Sequence, residues 1–310
     1  MYYIKKPAPP ELPPIPTVVA GQQSQIPMQL ESQLSNGETP NAVYRVIFID
    51  FEATGLDPEE ATPIEIGMTE AYVDVNTGEV YQIRKTYSAL NDPGTPLEPV
   101  ITEVTGLTDE DLVGQQFDLD EMESFITGDG KHIPIMAAHN SDYDETLFNR
   151  LFPHLSDLPW ICTVNDMHWP EGSEPLSRKQ EVILLQAGYQ YNAHRALEDC
   201  LALAWLCYLH ADIFKHALAL SMQNKYEVLA VQFPFDCKDW LKAPEVNFRW
   251  NPATKIWSKK VKGDSALQDT KEQLAELYDS AGASAELMSI KTLKQPIESP
   301  KLIRNGGSNG

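Results

Sequence analysis

The feature that most constrains the fold is a run of apolar and β-branched residues from Tyr44 to Phe51, in which only Arg45 and Asp50 are charged. A half-exposed strand alternates apolar and polar residues, whereas a strand covered on both faces reads as a nearly continuous apolar run. We therefore expect this segment to be a buried strand of a central sheet.

The segments that follow predict the rest of that sheet. Two more strands are expected at 64–75 and 80–87, and the turn sequence between them favours an antiparallel meander. Shorter strands are expected at 133–138 and 160–163, and helices are expected around 98–105, 118–127, 141–151, 177–187 and 195–220. This order predicts an α/β fold in which helices flank a mixed five-stranded sheet.

Composition divides the chain into five segments. Residues 1–40 carry eight of the 23 prolines and are expected to be an arm or linker, because proline removes backbone donors. The main domain is predicted over 41–222. A small basic and aromatic module is predicted over 225–262, which holds eight cationic and four acidic side chains. A helical segment over 264–295 and a disordered tail over 296–310 follow.

Charge and cysteine usage narrow the functional classes. The chain has 24 Lys and Arg against 45 Asp and Glu, a formal charge of −21. Such a chain is not a general coat for duplex DNA, which needs many cationic contacts. No CxxC pair and no apolar signal segment are present, so a reducing cytoplasm is expected. The longest apolar run, Leu201 to Leu209, is too short to span a membrane.

Acidic residues occur where two predicted strands end. Asp50 and Glu52 are two positions apart and so project from one face of the first strand. Asp142 and Asp144 follow the fourth strand at the start of a helix. Each pair also has a purely structural interpretation. Asp50 and Glu52 are then solvated acids of a turn, whereas Asp142 is a helix cap and Asp144 is an acid of the first helical turn.

A third acidic segment, from His194 to Asp199, opens the long apolar helix. Asp199 begins the face that is expected to point inward, while Glu198 points about 100° away from it. An acid on a buried face requires compensation, whereas Glu198 needs none if it is solvated. A first-turn Asp bound by backbone amides, beside an exposed loop histidine, is the structural alternative.

Taken together, these segments resemble the DEDDh family of 3′→5′ exonucleases, which includes the proofreading subunit of bacterial replicative polymerases and the RNase T-like and oligoribonuclease-like enzymes. The resemblance covers about residues 43–215, and its motifs lie at 50–56, 139–144 and 194–199. Residues 104–110 also resemble a family segment that touches the terminal nucleotide. Ala53 departs from the Thr or Ser that is usual in the first motif.

The resemblance implies an RNase H-like fold and a centre that holds two Mg²⁺ or Mn²⁺ ions. Two such ions can stabilise both the attacking and the leaving oxygen of a phosphodiester, and they prefer oxygen ligands. Four metal ligands are carried over: Asp50, Glu52, Asp144 and Asp199. His194 is carried over as the general base. The residues expected to bind substrate are Thr54, Leu56, Thr105, Gly106, His139 and Asn140.

The expected function is therefore a metal-dependent 3′→5′ exonuclease that releases nucleoside 5′-monophosphates from single-stranded DNA ends. Two alternatives stay open: an exoribonuclease acting on RNA or short oligoribonucleotides, and a catalytically idle nucleic-acid-binding or scaffold protein. The segment from Phe248 to Trp257 resembles a WDPxxKxW module of phage and mobile-element proteins. It either contacts single strands or packs as a small hydrophobic subdomain. A protein partner is possible through the arm or the C-terminal helix.

Overall fold

The computed structural model describes residues 40–243, 245–252, 254–294 and 303–304. The predicted proline-rich arm, apart from Pro40, lies outside the described residues. The chain divides into two compact units, and the division falls between Ala219 and Leu220. Ile303 and Arg304 belong to the first unit again. Within the described ranges, no helix has the length and apolar composition required to cross a membrane.

The sheet of the first unit has six strands, and five of them precede residue 220 in the chain. The helices of this unit also begin before that residue. Its strands up to the division are β1 (Ala42–Ala53), β2 (Pro63–Asp74), β3 (Val80–Leu90), β4 (Ile135–Ala138) and β5 (Trp160–Cys162). Its helices are α1 (Pro99–Thr105), α2 (Asp109–Leu112), α3 (Leu119–Thr127), α4 (Ser141–Leu151), α5 (Thr163–Asp166), α6 (Gln180–Gln186), α7 (Ala196–Leu209) and α8 (Ala211–Ser221).

The sheet of the first unit has the strand order β3-β2-β1-β4-β5. Strands β1 to β3 form an antiparallel meander, and β4 and β5 are added in parallel. These five strands form the mixed, RNase H-like sheet that the sequence predicts, and one further short strand is added to it. Because β1 is central and β4 is parallel to it, the carboxyl ends of both strands meet at one edge, where helices begin.

Both faces of β1 are covered, which explains its continuous apolar run. Ile47 and Ile49 belong to a buried cluster that includes Met122 of α3 and Phe148 of α4. Adjacent residues of a strand point to opposite faces, so Phe48 lies on the other side, and its ring stacks on that of Phe214 in α8. The strand is therefore fixed from two sides, and the acids at its end have little freedom to move.

Gly67 of β2 lets the start of α7 approach the sheet. A Cβ atom at this position would lie 2.3 Å from the carbonyl carbon of Ala196 and from the nitrogen of Leu197. The Cys200 thiol donates a hydrogen bond to the Gly67 carbonyl at 3.1 Å. Gly67 is also the cross-strand partner of Asp50. Glycine at this point therefore brings the beginning of α7 next to the end of β1.

The second unit is a four-stranded antiparallel sheet with a long helix on one face. Its elements are β6 (Lys225–Ala230), α9 (Lys238–Leu241), β7 (Arg249–Asn251), β8 (Ile256–Lys262), α10 (Asp264–Ser280) and β9 (Met288–Lys294). The strand order is β7-β8-β6-β9, and β7 and β8 form the hairpin predicted at Asn251-Pro252. Leu274 and Tyr278 of α10 are fully buried against Val228 of the sheet.

Two expectations about secondary structure are wrong. The long helix over 195–220 is two helices, because α7 ends at Leu209 and α8 begins at Ala211. The helical segment predicted over 264–295 contains the strand β9, whose Met-Ser-Ile-Lys sequence alternates with period two. Helix α10 and β9 belong to the same compact unit as residues 225–262.

The predicted disordered tail is ordered at two positions. Ile303 and Arg304 form β10, which pairs antiparallel with Val43 and Ala42 at the start of β1. The other residues of 296–310 lie outside the described part of the chain. This pairing joins residues about 260 positions apart, so no local sequence pattern predicts it.

Candidate active site

Asp50 and Glu52 lie at the end of β1, on the face that the start of α7 approaches. Their cross-strand partners on β2 are Gly67 and Glu65, respectively. Directly opposed residues of an antiparallel pair share a face, so Glu65 adds a third acid to this end of the sheet. Ala53 is buried and offers no hydroxyl.

Asp144 reaches the same strand end from α4. Its side chain is 3% exposed, and its Oδ1 accepts a hydrogen bond from the Phe51 amide at 3.1 Å. That amide lies between the two acids of β1, so Asp144 is tied to the backbone that carries them. The structural alternative of a helix cap at Asp142 is not what the structure has, since α4 starts after Asn140, whose φ is 76° and whose side chain makes no capping hydrogen bond.

Asp199 lies in the first turn of α7 and organises the loop before that helix. Its carboxylate accepts hydrogen bonds from the Tyr191 hydroxyl at 2.7 Å and from the backbone amides of His194 at 2.8 Å and Arg195 at 3.1 Å. Backbone amides therefore bind this first-turn Asp, as the structural alternative expects. The Gln180 side-chain amide donates a fourth hydrogen bond, to Oδ1 at 3.4 Å, so each carboxylate oxygen of Asp199 is held by two donors.

The structure brings three of the four predicted ligands together. One carboxylate oxygen each from Asp50, Glu52 and Asp199 lies within 4.8 Å of the others, with Asp144 held beside them through the Phe51 amide. All of these donors are hard oxygen atoms, the type that Mg²⁺ and Mn²⁺ prefer. The donor set therefore fits a divalent cation.

The acids at this site have strongly shifted pKa values. Burial, and then the neighbouring charges of Asp144 and Asp199, raise the pKa of Asp50 well above its ordinary value. Burial and the charges of Asp199 and Glu65 raise the pKa of Glu52 to about 8. Burial raises the pKa of Asp144 to about 7, although the Phe51 amide opposes this. A cation between these groups would remove the repulsion that the protein alone leaves uncompensated.

His194 is exposed and precedes α7 by two residues. Its φ is 70°, a left-handed conformation that a non-glycine residue adopts only when its surroundings enforce it. The hydrogen bond from its amide to Asp199 supplies part of that enforcement. The imidazole is thereby presented to solvent on a loop anchored to one of the clustered acids.

Sequence reasoning missed the residue that anchors the other side of this loop. Glu65 is 1% exposed and forms a bidentate salt bridge with Arg195, with N···O distances of 2.9–3.2 Å. Glu65 also accepts a hydrogen bond from the Ala196 amide at 3.2 Å. A charged residue inside the apolar run Ile64-Glu65-Ile66 was the available signal, because such a residue needs a partner.

The first motif supplies a loop that α4 holds in place. The Thr54 hydroxyl accepts a hydrogen bond from the Thr62 amide at 2.9 Å, and the Gly55 carbonyl accepts one from the Tyr143 hydroxyl. Burial and the charges of Asp144, Glu52 and Asp50 raise the pKa of Tyr143 to about 12, so this tyrosine lies close to the acids. Leu56 is 96% exposed at the tip of the loop and is free to contact a ligand.

The other residues expected to bind substrate differ in their exposure and in whether their polar groups already have hydrogen-bond partners. A Cβ atom at Gly106 would meet nothing within 4 Å, so its surroundings are open. The Thr105 hydroxyl is used locally, with Ile101 and Leu107 as partners. His139 is engaged on both ring nitrogens, by the Thr163 hydroxyl at 2.9 Å and the Arg178 carbonyl at 2.7 Å. Both ring nitrogens of His139 therefore already have partners within the protein, while the neighbouring Asn140 is exposed.

A profile of the RNase T family, described as an exonuclease, matches residues 47–206, which is just over half of the chain. The chain belongs to the RNase T exonuclease family. The match begins within β1 and ends within α7, so it contains Asp50, Glu52, Asp144, Asp199 and His194. This confirms the expectation of a DEDDh-type 3′→5′ exonuclease.

The RNase T exonuclease domain is also similar to parts of much longer proteins. It is 28% identical over 197 residues to a DNA polymerase III of the PolC type from Bacillus subtilis, covering 57% of this chain and 13% of that one. The PolC-type polymerase of Halalkalibacterium halodurans is 34% identical over 109 residues, which cover 34% of this chain and 7% of that one. The chain thus spans only a small part of these relatives.

Among solved structures, an Escherichia coli exonuclease I bound to single-stranded DNA is 13% identical, with a TM-score of 0.47, covering 78% of this chain and 68% of the other. A 3′-exonuclease that recognises the histone mRNA stem-loop is 19% identical, with a TM-score of 0.42, covering 56% of this chain and 65% of the other.

Proposed function

We propose that this exonuclease hydrolyses the terminal phosphodiester of single-stranded DNA 3′ ends, with two divalent metal ions, and releases nucleoside 5′-monophosphates. The observation that carries the proposal is the cluster of carboxylate oxygens from Asp50, Glu52 and Asp199, within 4.8 Å of one another at the end of β1. Similarity to DNA polymerase III of the PolC type supports DNA as the substrate.

The acids would hold the metal ions, with Asp144 as a fourth ligand beside the cluster. Bound divalent ions supply charge stabilisation for the attacking and leaving oxygens of a phosphodiester. The protein's own part is to keep the carboxylates at fixed positions through β1 and through the Phe51 amide. The raised pKa values of Asp50 and Glu52 support this role, because such groups are poor neighbours for one another without cations.

His194 would accept the proton of the attacking water. Neutral imidazole is a suitable base near pH 7, and the exposed loop position allows the ring to reach a bound substrate. Asp199 and the pair of Glu65 and Arg195 fix the loop on both sides. Leu56, whose side chain is exposed, and Gly106, which has free space around it, would contact the terminal nucleotide.

The proposal is tested with 5′-labelled DNA and RNA oligonucleotides of the same sequence, each single-stranded and duplex. With Mg²⁺ we expect a ladder that shortens one nucleotide at a time, fastest on single-stranded DNA, and no product in EDTA. Asp50→Asn is the test variant for the metal site, since it removes a charge without changing side-chain size, and it is expected to give no product. Equal cleavage by that variant would refute the ligand assignment, and faster cleavage of RNA would refute the substrate.

A further inference from the structure

The second unit separates its charges onto two faces. Helix α10 covers one face of the sheet and exposes five acidic side chains: Asp264, Asp269, Glu272, Glu276 and Asp279. Lys271 is its single cation. Tyr226, Val228 and Ala230 of β6 point toward α10, because Val228 and Ala230 belong to the cluster around Leu274 and Tyr226 packs against it. The alternate positions of β6 therefore project from the opposite face.

The strand registers place basic side chains together on that opposite face. Lys260 of β8 and Lys291 of β9 are both opposite Glu227 of β6. Lys262 of β8 is opposite Lys225 of β6 in the next row. The four lysines and Glu227 thus occupy neighbouring positions, about 5 Å apart between adjacent strands and about 7 Å apart along a strand.

Arg249 extends the same face onto the edge strand β7. It pairs with Ser258, which is two positions before Lys260 and so shares its face. Arg249, Lys260 and Lys291 are exposed, and Lys291 also forms an ion pair with Glu227 at 3.7 Å. We call the surface formed by Lys225, Arg249, Lys260, Lys262 and Lys291 the basic sheet face.

We propose that the basic sheet face binds the phosphate backbone of a single-stranded nucleic acid. The inference rests on the proposed function, which makes a nucleic acid strand the substrate of this protein. A chain with a charge of −21 repels such a strand as a whole, so retention requires a local surface of opposite charge. Among the residues that the structure describes on this face, five cations lie around Glu227, opposite the acidic helix, and they provide that surface.

The alternative partner is an acidic protein segment, which the same charges would attract. A nucleic acid differs from it in the salt dependence of binding, because cations that neutralise phosphates release condensed counterions. For single strands the logarithm of the binding constant changes by about 0.7 per contact for each tenfold change in salt. The number of contacts can therefore be counted from a salt titration.

The test measures binding of a fluorescein-labelled 20-nucleotide oligothymidylate to the full chain by anisotropy, in EDTA, over a series of NaCl concentrations. Lys260→Gln is expected to reduce the salt slope by about 0.7, and a triple change to Gln at Arg249, Lys260 and Lys291 by about 2. Lys271→Gln, the same change on the acidic helix, is the matched control and leaves the slope unchanged. Lys260→Arg, which keeps the charge, retains the wild-type slope.

Equal slopes for Lys260→Gln and Lys271→Gln would overturn the inference and leave an acidic protein segment as the partner to be sought. Failure of the proposed function is distinguishable from this result. If Mg²⁺ supports no hydrolysis of any oligonucleotide while the slopes still differ, the basic sheet face binds nucleic acid and the assigned chemistry is wrong. Thermal midpoints of the variants, measured in parallel, are expected to match the wild type, since these side chains are exposed or half-buried.

Discussion

Replacing Glu52 with Gln is expected to stabilise the metal-free protein while it destroys activity. Burial and neighbouring acids raise the pKa of Glu52 from 4.5 to about 8. In the unfolded chain the same carboxyl is ionised at pH 7, so folding requires it to take up a proton, at a cost of about 3 kcal/mol. Gln occupies nearly the same volume and has no charge to neutralise, so this cost disappears.

The sign of the effect fixes its pH dependence. A carboxyl whose pKa is raised on folding contributes full stability below its unfolded pKa of 4.5 and loses that contribution as the pH rises toward 8. The gain in the Gln variant is therefore expected to be below about 1 kcal/mol at pH 5 and about 3–5 kcal/mol at pH 8. Asp50 and Asp144, whose pKa values are also raised, make the wild type lose stability in the same direction.

Urea unfolding in EDTA at pH 5 and pH 8 measures these differences. Glu103→Gln, at an exposed position of α1, is the matched control and is expected to shift neither midpoint. Adding Mg²⁺ at a hundred times its dissociation constant should stabilise the wild type by about 2.7 kcal/mol and the Glu52→Gln variant by less. A variant that is no more stable than the wild type at pH 8 in EDTA would refute the reasoning about electrostatic repulsion.

Three further changes test the surroundings of the site. Gly67→Ala places a Cβ 2.3 Å from the backbone of Ala196 and should lower the free energy of unfolding by about 3 kcal/mol or more. The control is Gly94→Ala, at a φ of 73° with nothing within 4 Å, which should lower the free energy of unfolding by only about 1–2 kcal/mol. Denaturation midpoints that rank the other way would contradict this. Glu65→Gln removes the charge-assisted hydrogen bonds to the loop arginine and should lower kcat and stability, by about 1.5–3 kcal/mol in stability, without changing oligonucleotide affinity in EDTA. Tyr191→Phe removes the 2.7 Å hydrogen bond to the α7 carboxylate and should raise the Mg²⁺ concentration needed for half-maximal activity; an unchanged Mg²⁺ titration would assign the tyrosine to folding alone.

The sequence was sufficient where the signal is local. The apolar run of β1, the alternating or turn-bounded strands and the acid-bearing motifs each occupy a short stretch, and their resemblance to one family connects them. The mixed sheet with its antiparallel meander and the exonuclease class follow from those stretches. The cluster of Asp50, Glu52 and Asp199 is the structural counterpart of motifs that are almost 150 residues apart.

What the sequence did not predict depends on contacts between distant segments. The partner of Glu65 is an arginine 130 residues later, and the two partners of His139 lie at the start of α5 and in the segment before α6. Strand β9 forms only by pairing with the edge of β6, and this partner is not visible in the short segment that follows α10. The roles of His194 and of the substrate contacts stay predictions.

The pairing of β10 with β1 makes the order of synthesis matter for this molecule. The first unit cannot complete its sheet until the ribosome has also made the second, because the last strand of the one is encoded after the other. A shortened gene that stops before residue 303 would therefore leave the start of β1 with a bare edge. To separate the two units cleanly, an engineer would have to excise the intervening segment and rejoin the chain.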